Sequence, residues 1–285
     1  MIARMTTNTV AVLGLGLLGR GFAENLLAKG NTVRVWNRTV SRAAPLVEKG
    51  AVVCESPADA VRGASRVHLV LAEDTAVDAV IAPLRPALAA GAYVVDHSTN
   101  LPAGVASRFA TLRAASVRYV HAPVFMGPTN SREGTGLMLL SGPAEDETAL
   151  RPLLEAMTGK LLYVGAEPDK AAKLKITGNG MLIMITAAMG DLFRMGAASG
   201  VSNDEVIGLF EQFAPTPVGM GRRALAAGKG GPVGFELTMA RKDVRLMLET
   251  AGAQTLTVLP SVASAMDAAI AAGHGADDFT IIATR

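Results

Sequence analysis

The chain reads as an α/β protein, a doubly wound parallel sheet followed by an all-helical domain. Three observations predict this. Short apolar runs alternate with helical patterns as far as about residue 164, a glycine-rich turn sits directly behind the first run, and beyond Asp169 apolar residues recur only at helical spacing.

The first run, Thr9-Val10-Ala11-Val12-Leu13, stops at Gly14-Leu15-Gly16-Leu17-Leu18-Gly19. In such a turn Gly14 lets the backbone reverse tightly, Gly16 lets a pyrophosphate approach the main chain, and Gly19 lets the new helix pack on the sheet. The helix N-terminus then turns its unpaired N–H groups toward phosphate. Phe22, Leu26 and Leu27 continue an apolar helical face, Gly30-Asn31 supplies a stop, and Thr32-Val33-Arg34-Val35-Trp36 reads as the returning strand. A binder of NAD usually carries an acidic residue about 20 residues beyond the glycines. Here that place holds Asn37, followed by Arg38 and Thr39. A guanidinium with amide and hydroxyl neighbours suits a 2′-phosphate, so the expected cofactor is NADP, held by residues 14–19 and 37–39.

Further strands are expected at Ala51-Val52-Val53, Val67 to Leu71, Tyr93-Val94-Val95 and Val117 to Val120. Two more runs, Leu137 to Leu140 and Leu161 to Val164, are expected to lengthen the same sheet. Helices are expected over Leu174 to Phe193, Val206 to Phe213, Phe235 to Leu248 and Val258 to Ile270, with the domain boundary between residues 166 and 167. Met181 to Met189 is apolar, is roughly half the length of a membrane span, and runs into Asp191; it is expected to be a buried helix.

Charge is nearly balanced, 27 Lys plus Arg against 25 Asp plus Glu, without like-charge runs, which argues against a nucleic-acid partner. Arg4 and the apolar residues behind it mimic a signal peptide only until the glycines and Arg20 interrupt them, so no membrane partner is expected. Cys54 is the single cysteine, which excludes an intramolecular disulfide and fits a reducing, cytoplasmic setting. His68, His97, His121 and His274 lack metal-ligand spacing, and no metal is expected.

Lys175 and Asn179 stand four apart among Leu174, Ile176, Met181 and Leu182, so both project from one face of a largely apolar helix. Burial lowers the pKa of a lysine toward the working range of a general acid or base. Later, Phe235, Met239, Lys242, Asp243 and Leu246 share one stripe of a helix, placing charges within an apolar face, either as structural ion pairs or as part of a site.

Taken together, Gly14 to Gly19 with Asn37-Arg38-Thr39, Ser98-Thr99 with Pro102, Ala122-Pro123-Val124, Lys175 with Asn179, and Phe235 with Lys242-Asp243 resemble the β-hydroxyacid dehydrogenase family. That family includes hydroxyisobutyrate dehydrogenases and glyoxylate and succinic semialdehyde reductases. The resemblance covers nearly the whole chain. It implies a Rossmann-type domain joined by a long helix to a helical domain, an active site in the cleft between them, and homodimers or homotetramers. It also implies that Lys175 is the catalytic lysine and that Asn179 orients the reacting group. By the same resemblance Leu71, Ala72 and Thr99 contact cofactor, Lys242 lies near the nicotinamide end, and Phe235 and Asp243 line the site. One departure stands out. Where the family has Asp-Ala-Pro-Val-Ser-Gly-Gly in its substrate loop, this chain has His121-Ala122-Pro123-Val124-Phe125-Met126-Gly127, so Phe125, Met126 and Gly127 are expected to meet a substrate that is larger or less polar.

The expected activity is therefore hydride transfer between NADPH and a short carbonyl acid or semialdehyde. An imine reductase is the first alternative, which Lys175 argues against. A non-catalytic NADPH-binding protein is the second.

Overall fold

The structure, a computed structural model, describes residues 8–213 and 215–284; Arg4 lies outside them. The chain divides into two compact units between Asn179 and Gly180.

In chain order the first unit runs β1 (Thr9–Leu13), α1 (Leu17–Ala28), β2 (Thr32–Trp36), α2 (Ala44–Val47), β3 (Val52–Val53), α3 (Pro57–Val61), β4 (Arg66–Leu69), α4 (Asp74–Leu84), β5 (Tyr93–Asp96) and α5 (Pro102–Ala114). It continues with β6 (Arg118–His121), β7 (Val124–Phe125), α6 (Pro128–Glu133), β8 (Leu137–Leu140), α7 (Ala144–Glu155), β9 (Lys160–Tyr163) and the opening of α8 (Lys170–Ala198). Six parallel strands form one sheet in the order β3-β2-β1-β4-β5-β6. Their register pairs Val12 with Val35 on one side and with His68 on the other. β1 is apolar without alternation, and β4 is buried along its whole length, Arg66 and His68 included, because helices cover both faces. Phe22 and Leu26 of α1 pack with Val10, Val12 and Val33 on one face, while Val77 and Leu84 of α4 pack with Ala11, Leu13 and Val67 on the other. Each fully buried Leu or Phe contributes about 1.5–3 kcal/mol of burial free energy, which fixes the helices against the strand ends that carry the turns.

The strands expected to lengthen this sheet do not join it. Leu137–Leu140 pairs with β7 on one side, antiparallel, and with Lys160–Tyr163 on the other, parallel, in a separate sheet of order β7-β8-β9. The chain runs straight on from β6 into β7, with His121, Val124 and Phe125 facing Ser141, Met138 and Leu137, and Pro123, which has no N–H to give the first sheet, accepts at its carbonyl from Leu139 N–H at 2.9 Å. A bridge between His121 and Ser141 connects the two sheets.

The second unit contains the rest of α8, then α9 (Asn203–Gln212), α10 (Pro217–Ala227), α11 (Leu237–Ala251) and α12 (Leu259–Ala269). Its core is built from Leu237, Val244, Met266 and Ile281. Asp191 holds the start of α12 by accepting from Thr257, Val258 and Leu259 N–H at 2.6, 2.6 and 2.9 Å. Burial opposes its ionisation, but these three donors and Arg194 outweigh burial and hold the carboxyl at about 2.

Met181 to Met189 was expected to be buried, and the structure corrects this. Leu182, Ile183 and Met184 are 59%, 70% and 60% exposed. The segment is helical, but apolar composition alone does not say what covers a helix face. By length and composition α8 is long and apolar enough to cross a bilayer. Its two buried ionisable groups, Lys175 and Asp191, are instead engaged by protein groups.

Candidate active site

The carboxyl ends of β1, β2, β4 and β5 bring the expected cofactor residues to one edge of the sheet, where the strand order reverses direction around β1 and β4. Gly14 has φ +97°, and a Cβ there would lie 2.3 Å from the Val70 carbonyl. A Cβ on Gly19 would strike the Gly14 carbonyl at 1.9 Å, so the helix meets the strand end only because Gly19 has no side chain. Above Gly16 a Cβ would meet nothing within 4 Å. That open space over bare backbone, at an N-cap with no side-chain capping bond, fits a pyrophosphate.

Asn37 works differently from a ribose ligand. Its Oδ1 accepts from Leu15 N–H at 2.9 Å and its amide donates to the Thr39 carbonyl at 2.9 Å. It therefore stitches the glycine turn to the loop after β2. Leu15 is buried and Leu18 half-buried against the core, while Leu17 is exposed. Arg38 and Thr39 are exposed at the end of β2. Beside them a cavity of about 280 Å³ is lined by Gly16, Arg20, Ser41 and Arg42. Leu71 N–H donates to Ser98 Oγ at 3.0 Å, tying the loops after β4 and β5 together and leaving Ala72 and Thr99 exposed on them.

Lys175 is 8% exposed. Its ammonium donates to Asn179 Oδ1 at 2.8 Å and lies 4.1 Å from the centre of the Phe125 ring. Among the described residues no carboxylate pairs with it, and burial pushes it below the usual lysine range. Phe125 reaches it because β7 pairs Val124 with Met138 and Phe125 with Leu137, sending Val124 into the core and the ring to the other face. The ring rests on Gly178, where a Cβ would stand 2.4 Å from Cζ. Met126 packs against the core, and Gly127 N–H is taken by Asn130 Oδ1 at 2.9 Å as α6 begins. Of the three loop residues, Phe125 is the one in contact with Lys175.

The profile of the family described as the NAD binding domain of 6-phosphogluconate dehydrogenase matches residues 9–165. Among curated relatives, glyoxylate/succinic semialdehyde reductase 1 of Arabidopsis thaliana is 28% identical over 285 residues, covering 96% of each chain. The 3-hydroxyisobutyrate dehydrogenase of Pseudomonas aeruginosa is 27% identical over 290 residues, also covering 96% of each. The chain belongs to the β-hydroxyacid dehydrogenase family. Among solved structures, an imine reductase from Myxococcus stipitatus in complex with NADP+ superposes with a TM-score of 0.87 at 21% identity, covering 97% of this chain and 99% of that one, which confirms the fold. NAD(P)-dependent oxidoreduction is the chemistry this membership supports.

For this dehydrogenase-family chain, the remaining expected residues lie in the second unit. Phe235 packs edge-on against Phe279 with centroids 5.6 Å apart. Lys242 and Asp243 form an exposed ion pair at 3.0 Å. Asp278 anchors Phe235 by accepting from Gly234 and Phe235 N–H at 2.9 and 3.3 Å, and from Arg223 at 2.6 Å.

Sequence reasoning missed several residues of this dehydrogenase fold. Ser41 and Arg42 follow Asn37 in a short helical turn, and that spacing was the available signal. Gly178 gave none, because its meaning lies in the Phe125 ring above it. Behind the site, Arg66 Nε donates to His68 Nε2 at 3.1 Å, His68 Nδ1 stands 2.9 Å from His97 Nε2, and His97 Nδ1 stands 2.6 Å from the Ala122 carbonyl. A guanidinium only donates and a carbonyl only accepts. Each ring therefore accepts at Nε2 and donates at Nδ1, and both are neutral. Burial keeps His97 down at about 4 and His68 well below the ordinary histidine value. Among the described residues no three His, Cys, Asp or Glu side chains gather as metal ligands.

Proposed function

We propose that this chain is an NADP-dependent reductase of a short carbonyl compound, in the line of the carbonyl acids and semialdehydes of its named relatives, with Lys175 as general acid. One observation carries the reading: a buried ammonium whose protein partners are a neutral amide and an aromatic face. Such a group holds a proton it can give to a developing alkoxide, and Asn179 fixes its direction. In the reverse direction the same nitrogen takes the proton from a 3-hydroxy acid. A bound reduced nicotinamide supplies the hydride. Residues 14–19 bind the pyrophosphate, and the loops after β4 and β5 present Leu71, Ala72 and Thr99; by the family pattern Lys242 serves the cofactor and Phe235 and Asp243 the substrate.

Preference for NADP is supported by Arg38 and by Arg20, Ser41 and Arg42 around the cavity beside Gly16, a donor-rich wall suited to a 2′-phosphate. Imine reduction is the second reading, favoured by Phe125 in place of a hydroxyl-bearing residue. A second copy of the chain is the partner we assign to the exposed apolar face Leu182–Met184, giving a dimer or tetramer. Ile183→Glu would then lower the mass measured by light scattering. A cytoplasmic setting suits the single buried Cys54.

The test is Lys175→Met. NADPH binding, followed by fluorescence, is retained, while NADPH consumption over a panel of semialdehydes, keto acids and imines falls by about 10²–10⁴. Full turnover in that variant removes the mechanism, and consumption confined to imines moves the assignment to the second reading.

A further inference from the structure

The ring seated on Lys175 has a consequence for what the ammonium can receive. Resting on the reductase reading above, we infer that Phe125 selects the substrate class: a neutral aldehyde or ketone with apolar or aromatic substituents, in preference to one whose substituents end in a carboxylate.

The ammonium has three N–H donors. One is given to Asn179 Oδ1, and the π face of Phe125 covers another side at 4.1 Å. What remains meets the carbonyl oxygen. The substituents of that carbonyl then run past the ring, which is fixed from below by the bare backbone of Gly178 and from its own strand by the pairing of Phe125 with Leu137. It cannot swing down onto α8, because the ring already fills the space that any side chain at position 178 would occupy. An aromatic face carries negative charge density, so it attracts the ammonium and repels a carboxylate. A carboxylate placed beside it loses water without gaining a donor. An anion drawn to the ammonium instead competes with the carbonyl oxygen for the same N–H. Apolar substituents face neither cost and gain contact area with the ring. Pairing of Phe125 with Gly178 also separates this site from one that merely tolerates a bulky residue, since the two positions fit each other sterically.

The test compares wild type, Phe125→Ser and Phe125→Leu on butanal, benzaldehyde and succinic semialdehyde with NADPH. Their unreactive amide counterparts, butanamide and succinamate, are titrated into the NADPH complex by fluorescence. Wild type favours the neutral aldehydes in kcat/KM by about tenfold or more, and butanamide binds more tightly than succinamate. Phe125→Ser moves the ratio at least about tenfold toward succinic semialdehyde. Phe125→Leu, which keeps an apolar side chain in β7 but lacks the π face, moves it part of the way and serves if the serine variant does not fold. A wild-type preference for succinic semialdehyde and succinamate, or an unchanged ratio in a folded variant, overturns the inference. If no aldehyde is consumed while butanamide still binds preferentially, the reductase reading fails and the selection by Phe125 stands. If aldehydes are consumed with the anion preferred, the reverse holds.

Discussion

Replacing His97 by glutamine should make folding less sensitive to acid. His97 is 4% exposed and is held at about 4, against 6.5 for an ordinary histidine. Its Nε2 must stay unprotonated to accept from His68, which itself accepts from Arg66. A group whose pKa is depressed by folding lends its full stability above the unfolded value, and that stability drains away as pH falls toward the folded one. Integrating from pH 7 down to pH 5 with these values gives a loss of about 2 kcal/mol from His97 alone. His68, also pushed down by burial, acts in the same direction. The amide of His97→Gln can donate to the Ala122 carbonyl and accept from His68 without titrating. Urea unfolding of both proteins between pH 7 and pH 5 reads the difference, with carboxylate titrations common to both. Wild type should lose about 2 kcal/mol more than the variant. Parallel stability curves would refute the claim that the chain of donors from Arg66 to Ala122 requires a neutral ring.

Further expectations concern the site and the helical unit. Arg42→Ala weakens NADPH binding by about tenfold to a hundredfold while leaving NADH unchanged, read by fluorescence titration, because a charge-assisted hydrogen bond to the 2′-phosphate is lost. The rate of carbonyl reduction falls as pH rises through the pKa of Lys175, which burial places below 10.5. Asn179→Ala moves that alkaline limb to lower pH, since the lost acceptor had favoured the charged ammonium. Asp191→Ala uncaps α12 and costs roughly 2–3 kcal/mol in a denaturant titration, because Thr257, Val258 and Leu259 lose their acceptor together.

Much of this architecture was legible because it is local. The β1 turn announces itself through an apolar run that ends on Gly14, and the i, i+4 spacing of Lys175 and Asn179 on one helix is enough to bring them within 2.8 Å. Partner choice was not legible. Leu137 to Leu140 looks the same whether it extends the first sheet or starts another, and the strand that decides the matter, β7, is too short to show a period. α10 escaped notice because Gly219, Gly221 and the arginine pair Arg222-Arg223 interrupt its apolar pattern. The contact of Phe125 with Lys175 joins residues remote in sequence, so both were named from the sequence while their meeting could come only from the fold.

Asn37 spends both ends of its amide on backbone, one on Leu15 and one on Thr39. The position that in NAD binders usually carries the ribose-binding carboxylate therefore also shapes the phosphate turn here. An Asn37→Asp exchange, the simplest route toward a ribose-diol acceptor, would keep the bond from Leu15 but set a negative charge against the Thr39 carbonyl. Altering the dinucleotide contacts of this turn thus means redesigning the segment from Asn37 through Arg42 as a block, because a change at its first residue slackens the support of all the rest.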